Sequence, residues 1–207
     1  LFVNGGNIYG NEILNPGWTN YEKQALYCTY DITERIKAGT NALFVELGNG
    51  FYYIPGTRYR KMTGAYGLPK LILKLNISYE DGSLEEIITD QSWKTTASDI
   101  TYSSIFGGED RDANLSSYGA GYPEYDDSHW KKPVVVSGPP VLESQMNEPV
   151  VISRFFEPIS QQKISDQVTV YDLGQNFAGI PSIIARGNRY DTIRAYCGEL
   201  INREDRK

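Results

Sequence analysis

Three short stretches hold the side chains of this sequence best suited to chemistry, and all three have loop composition. In Gly48-Asn49-Gly50-Phe51-Tyr52, after the strand-like ALFVEL, glycines let the backbone turn sharply while Asn49 offers an amide beside two aromatic rings. Such a loop can seat a sugar on Asn49, Phe51 and Tyr52, or lend Asn49 to a calcium ion. It can equally be a hairpin turn whose aromatics are core. In Gly107-Gly108-Glu109-Asp110-Arg111-Asp112, bunched carboxylates suit Ca²⁺, with Asp112 as a ligand, or let Glu109 bind a pair of sugar hydroxyls. The plainer reading is a solvated acidic turn with an ion pair to Arg111. In Tyr125-Asp126-Asp127-Ser128-His129-Trp130, the carboxylates before Ser128 suit a turn or cap that pins Trp130 into a core and leaves His129 structural.

None of these stretches supplies a catalytic set. A glycosidase holds two carboxyl groups across the scissile bond, about 5–5.5 Å apart if retaining and about 6.5–9.5 Å if inverting. Neighbours on one loop do not span a sugar that way. No serine sits in a G-x-S-x-G frame, and neither cysteine has a matching nucleophile motif. Cys28 and Cys197 lie in strand-like YCTYDI and RAYCGEL without C-x-x-C spacing, which leaves two buried free thiols or one disulfide. With a single histidine, zinc is excluded, whereas calcium needs only oxygen ligands.

The formal charge of −6 and a pI near 4.9 count against a nucleic-acid partner, which recruits a concentrated Lys/Arg surface. The compact basic run Arg58-Tyr59-Arg60-Lys61 reads as a solvated loop. Sixteen tyrosines against seven phenylalanines and three tryptophans suit half-exposed sheet faces, as in extracellular, carbohydrate-handling β proteins. A secreted or periplasmic setting is therefore expected ahead of the cytoplasm. No run approaches the roughly 20 apolar residues of a membrane span, so no membrane partner is expected. LFVNGG opens as strand and turn, without the charged and apolar regions of a signal peptide, and Leu1 looks like a start in mid-strand.

What must position these loops is a series of short strands. Alternating or apolar runs recur at Asn41 to Leu47, Leu71 to Tyr79, Leu84 to Thr89, Pro133 to Val136, Pro149 to Phe156, Val168 to Leu173 and Thr192 to Tyr196. This pattern predicts an all-β fold, an antiparallel jelly-roll-like β-sandwich followed by part of a second sandwich. Asn4-Gly5-Gly6 reads as one hairpin tip, and Asp81-Gly82 as a tight two-residue turn between two of the strands. Asp31 to Gly39 is the one short helical turn. The Gly-Pro-Pro break and polar stretch SGPPVLESQMNE place a domain boundary near 145/146, giving units 1–145 and 146–207, with successive strands expected from Val170 to Ile201 in the second.

The order of phrases resembles a known family. NPGWTNY and YCTYDIT, with Trp18, Tyr21, Tyr27 and Tyr30 among turn residues, suit a sheet rim for flat, polar rings. Together with FVNG, GTNALFVELGNGFY, YEDG, TDQSWK, GGEDRDA and DDSHW, they resemble the N-terminal β-sandwich region of bacterial α-L-rhamnosidases. VYDLGQNFAG followed by GEL resembles the start of that family's next β-sandwich. The resemblance implies a noncatalytic accessory region of a glycoside hydrolase acting on terminal α-L-rhamnosides of glycans or plant glycosides. The family's inverting (α/α)6 catalytic barrel would be encoded beyond Lys207. Implied partners are an L-rhamnose-containing carbohydrate and the catalytic domain of the same parent chain, with calcium assisting recognition in some relatives. Asn49 is then the expected polar ligand. Where relatives commonly carry Trp after the GNG turn, Phe51 keeps the stacking face and loses the indole donor. The alternative is a structural module that packs against the barrel or a second subunit.

Overall fold

Turn chemistry sets the first strands. Asn4 and Gly5 both take positive φ, 49° and 80°, which is the type I′ geometry that suits a two-residue hairpin. They join β1 (Phe2–Val3) to β2 (Gly6–Asn7). The Asn4 side chain ties this turn to the next strand, donating to the Arg35 carbonyl and to Asn41 Oδ1 at 2.9 and 2.8 Å, and accepting from the Ala42 N–H at 3.0 Å. The Asn41 to Leu47 run accordingly narrows to β5 (Leu43–Phe44), which completes a three-stranded sheet β2-β1-β5.

The structure is a computed structural model that describes residues 1–56, 58 and 63–200. Tyr59, Arg60 and Lys61 of the basic run, and the tail from Ile201, lie outside the described residues. Two compact units divide after Ile152. The first also holds β3 (Glu12–Ile13), β4 (Ala25–Tyr27), β6 (Lys74–Ser78), β7 (Leu84–Ile88), β8 (Ile100–Ser104), β9 (Gly108–Arg111), β10 (Leu142–Ser144) and β11 (Val150–Val151). Helix among the described residues is confined to two 3₁₀ turns, Thr33–Arg35 and Ala113–Leu115, so the fold is an all-β sandwich.

The polar stretch expected as a linker is instead built into the first unit. β10 lies parallel to β4, a departure from an all-antiparallel arrangement, and β11 pairs antiparallel with β3. Gln145 explains the anchorage: its N–H donates to the Tyr27 carbonyl at 2.9 Å, and its side-chain oxygen accepts from the Gly17 N–H at 2.7 Å. A chain held by pairing on both sides of Gln145 cannot serve as a free hinge.

The Asp81-Gly82 hairpin forms, with a longer loop than the two-residue turn expected. Ser78 pairs with Leu84, the Tyr79 N–H reaches the Ser83 carbonyl, and Gly82 sits at φ 83° after a turn closed by its N–H to Tyr79. This is a three-residue loop ending in a left-handed residue. Asp81 selects it by accepting from both the backbone N–H and the hydroxyl of Ser83.

The same Asp-x-Ser/Thr device recurs at Asp31–Thr33, Asp90–Ser92 and Asp126–Ser128. Side-chain donors, then backbone donors, hold all four carboxyls below their usual 3.8. A carboxyl whose value is depressed on folding adds stability above its unfolded value and loses it as pH falls through the folded one. These turns should therefore leave the melting temperature unchanged between about pH 7 and pH 5 and weaken the fold only in acid below 3.8. Ser83→Ala should move the Asp81 carboxyl up toward 3.8, read from its carbon-13 titration, and no upward movement would refute the assignment.

Among the described residues of the first unit, the large side chains that are fully buried are Val3 at 2% and Ile54 at 0% exposure. Pro133 to Val136, expected as a strand, is not one. Its one proline, Pro133, cannot donate to a ladder, and Val134 is 84% exposed.

The second unit contains β12 (Ser160–Ser165) and β13 (Val168–Asp172), an antiparallel hairpin with a bulge between Lys163 and Ser165. The strands expected after Leu173 do not form among the described residues. Ile184 and Tyr196 are 95% and 85% exposed, with no strand among the described residues to pair with them. Cys28 is half-buried and Cys197 exposed, both as free thiols, so the expectation of two buried thiols fails at Cys197, whose segment is not a strand.

Candidate functional site

The loop after β5 is anchored by Asn49. Its carbonyl accepts the Tyr52 and Tyr53 N–H groups, both at 3.1 Å, and its side-chain amide donates to the Ser103 carbonyl on β8 at 2.7 Å. Gly50 supplies the left-handed step at φ 49°. The amide expected to meet a ligand is thus engaged with a strand, and the residues it positions are those that follow. Asn49→Ala should cost about 1 kcal/mol by leaving a half-buried carbonyl without its donor. The loss should appear as faster amide exchange confined to β8 and β9.

The acidic stretch expected as a loop is largely strand β9, paired with β8 so that Ser103 faces Glu109 and Tyr102 faces Asp110. The turn between them is closed by the Ser104 hydroxyl, which accepts from the Phe106 and Gly107 N–H groups at 3.3 and 3.2 Å. That turn carries Phe106 to the Phe51 ring, 6.4 Å away and edge-on, while Trp18 lies 5.7 Å from Phe51 on another contact. Trp18, Phe51 and Phe106 are 63%, 40% and 46% exposed, and so form one aromatic surface half open to solvent. Trp18 is legible in the sequence as part of an aromatic rim. Phe106 is not, because its only signal is its place at the tip before Gly107-Gly108.

The structure gathers Asn49, Phe51 and Glu109 about the β8–β9 hairpin and sends Tyr52 elsewhere. Tyr52 packs against Tyr21 and Tyr66, at 5.1 and 5.7 Å between ring centroids, and accepts from Lys70 Nζ at 2.8 Å. Burial, then the neighbouring Tyr66 and Tyr52, raises the Tyr21 phenol above its ordinary 10. This second cluster reads as packing.

Asp112 is also occupied: it caps the 3₁₀ turn Ala113–Leu115, accepting from the Asn114 backbone and side-chain N–H groups at 2.9 and 2.8 Å. It lies three residues beyond Glu109, roughly 10 Å along an extended strand. Asn49 and Asp112 are thus each engaged within the fold, and among the described residues no group of three or more His, Cys, Asp or Glu could hold a metal. Asp110 instead makes a bidentate pair with Arg58, whose guanidinium stacks 4.2 Å over Tyr102. Arg111, expected to pair within the acidic stretch, reaches Glu109 and Asp99 at 3.8 Å each. His129 is exposed, and Trp130 beside it packs on Tyr125 and Phe44.

Comparison with known proteins comes down on one family. Residues 1–154 match the family model described as the alpha-L-rhamnosidase N-terminal domain. An alpha-L-rhamnosidase of Alteromonas sp. (strain LOR) is 33% identical over 186 residues, covering 88% of this chain and 20% of that protein. The solved alpha-L-rhamnosidase of Dictyoglumus thermophilum superposes with a TM-score of 0.73 at 35% identity, covering 85% of this chain and 19% of that one. The Streptomyces avermitilis alpha-L-rhamnosidase, solved in complex with L-rhamnose, gives 0.74 at 29% identity over 84% of this chain and 17% of that one. The chain spans about a fifth of the length of the curated relatives it matches.

Proposed function

Because this chain belongs to the family of alpha-L-rhamnosidase N-terminal domains, we propose that it is a noncatalytic accessory sandwich that helps such an enzyme recognise the terminal rhamnosyl unit of glycans or plant glycosides. The observation that carries this reading is the half-open surface of Trp18, Phe51 and Phe106. A 6-deoxy sugar has an apolar face and a methyl group that bury well against such rings, while its hydroxyls need polar neighbours. Glu109, opposite the strand residue that holds Asn49, is a candidate to supply one. No pair of carboxyls in the site faces across a sugar, so hydrolysis is assigned to the rest of the parent enzyme.

The test is a calorimetric titration of the chain with L-rhamnose in calcium and again in chelator, alongside incubation with an aryl α-L-rhamnoside. Saturable, millimolar binding without turnover supports the reading; a millimolar constant corresponds to about −4 kcal/mol. Silence in both buffers, or robust turnover, overturns it.

The second reading is a docking module that packs against a catalytic barrel or a second subunit. Val134, Val135 and Val136 favour it, since three successive valines 84%, 60% and 52% exposed are what a covered interface leaves open when its partner is absent.

A further inference from the structure

Away from Phe51, the first unit has a cleft of about 360 Å³. It is lined by Leu43 and Phe44 of β5, by Trp93 and Lys94 after β7, and by residues of the turn from Tyr122 to Trp130. We infer that this cleft is a second carbohydrate subsite, one that takes a single neutral pyranose ring of an oligosaccharide and shares no residue with the Phe51 surface.

The walls supply the apolar part of that recognition. Trp130 meets Tyr125 edge-on at 5.8 Å and lies 6.2 Å from Phe44, while Trp93 is fixed by its indole N–H to the Ile88 carbonyl at 2.9 Å. Rings held in this way offer flat, rigid faces to the C–H side of a sugar. The Trp130 indole N–H is buried without an acceptor among the described residues.

The polar part is the ion pair of Lys94 with Asp127, whose side chains are 42% and 46% exposed. An ammonium beside a carboxylate gives a donor and an acceptor side by side, the complement of two neighbouring hydroxyls that each donate and accept. The opposed charges cancel at the rim, which selects a neutral ligand over an anion or a cation. The volume lies at the low end of the roughly 300–1,000 Å³ range of ligand sites, enough for one ring and its linkage.

The three tryptophans make the two sites separable in one experiment, because Trp18 reports the Phe51 surface and Trp93 and Trp130 report the cleft. The full chain, labelled with nitrogen-15, is titrated with the methyl glycosides of L-rhamnose, D-glucose and D-galactose while the indole N–H signals are followed. With at least one glycoside, the Trp93 and Trp130 signals should shift saturably. Asp127→Ala should weaken that binding about fivefold or more, and Trp18→Ala should leave it unchanged. If Asp127→Ala disturbs the whole spectrum, Lys94→Ala provides the same reading from the other half of the pair. Movement of Trp18 alone overturns the cleft and supports the Phe51 surface. Immobility of Trp93 and Trp130 with every glycoside, or cleft affinity unchanged in both ion-pair variants, also overturns it.

Discussion

Ile54→Ala should lower the stability of the first unit by about 3 kcal/mol, within the roughly 2–5 kcal/mol range for removing most of a buried isoleucine. For a domain of this size that is a fall of roughly 6–12 °C in melting temperature, measurable by circular dichroism. The expected size rests on position. Ile54 has no exposed surface and follows the Asn49 loop directly, and its carbonyl accepts the Gly64 N–H at 2.9 Å, so the cavity opens where two segments are tied together. A control belongs beside it: Ile184, 95% exposed in the second unit, should tolerate the same change within about 0.5 kcal/mol. Equal losses from the two substitutions would mean that the core does not sit at Ile54.

Gly5→Ala should be nearly as damaging, at about 2–3 kcal/mol, for two separable reasons. Gly5 holds φ 80° in the first hairpin, where a side chain is strained whatever the surrounding space. In addition, an added Cβ would fall 2.2 Å from Tyr122 Cζ, so the ring must leave. Gly39 isolates the first cost, because it has φ 88° with nothing within 4 Å of the Cβ position. Gly39→Ala should therefore lose only about 1 kcal/mol. The excess at Gly5 measures the packing of Tyr122, which lines the proposed cleft, and the same variant should weaken any sugar seated there. Equal costs at the two glycines would show that Tyr122 is not held against the hairpin.

How far the sequence foretells this arrangement depends on how local each determinant is. Asn4-Gly5 and Asp81-Gly82 could be read because the turn, its left-handed residues and its side-chain acceptors lie within a few positions. Even there the second loop is one residue longer than expected, since the Asp81 bond to Ser83 decides it and composition does not. The stretch from Ser137 to Glu148 misleads for the opposite reason. Its glycine and prolines resemble a linker, while the strand it forms depends on β4, more than a hundred residues earlier in the chain. Glu109 to Arg111 reads as a loop because its charges oppose strand propensity, and pairing with β8 overrides that preference. At the site, the residue types around Asn49 and Phe51 were visible in advance. What Asn49 does with its amide was not, because Ser103 lies on another strand.

The measurement that goes most directly to the account is L-rhamnose affinity in three forms of the chain: unaltered, Phe51→Ala and Tyr52→Phe. Recognition at the Trp18–Phe51–Phe106 surface predicts that Phe51→Ala weakens binding about five- to thirtyfold, the equivalent of roughly 1–2 kcal/mol of lost ring contact, while Tyr52→Phe binds as the unaltered chain does. Binding that survives Phe51→Ala, or that is lost with Tyr52→Phe alone, would contradict it and move recognition away from this surface.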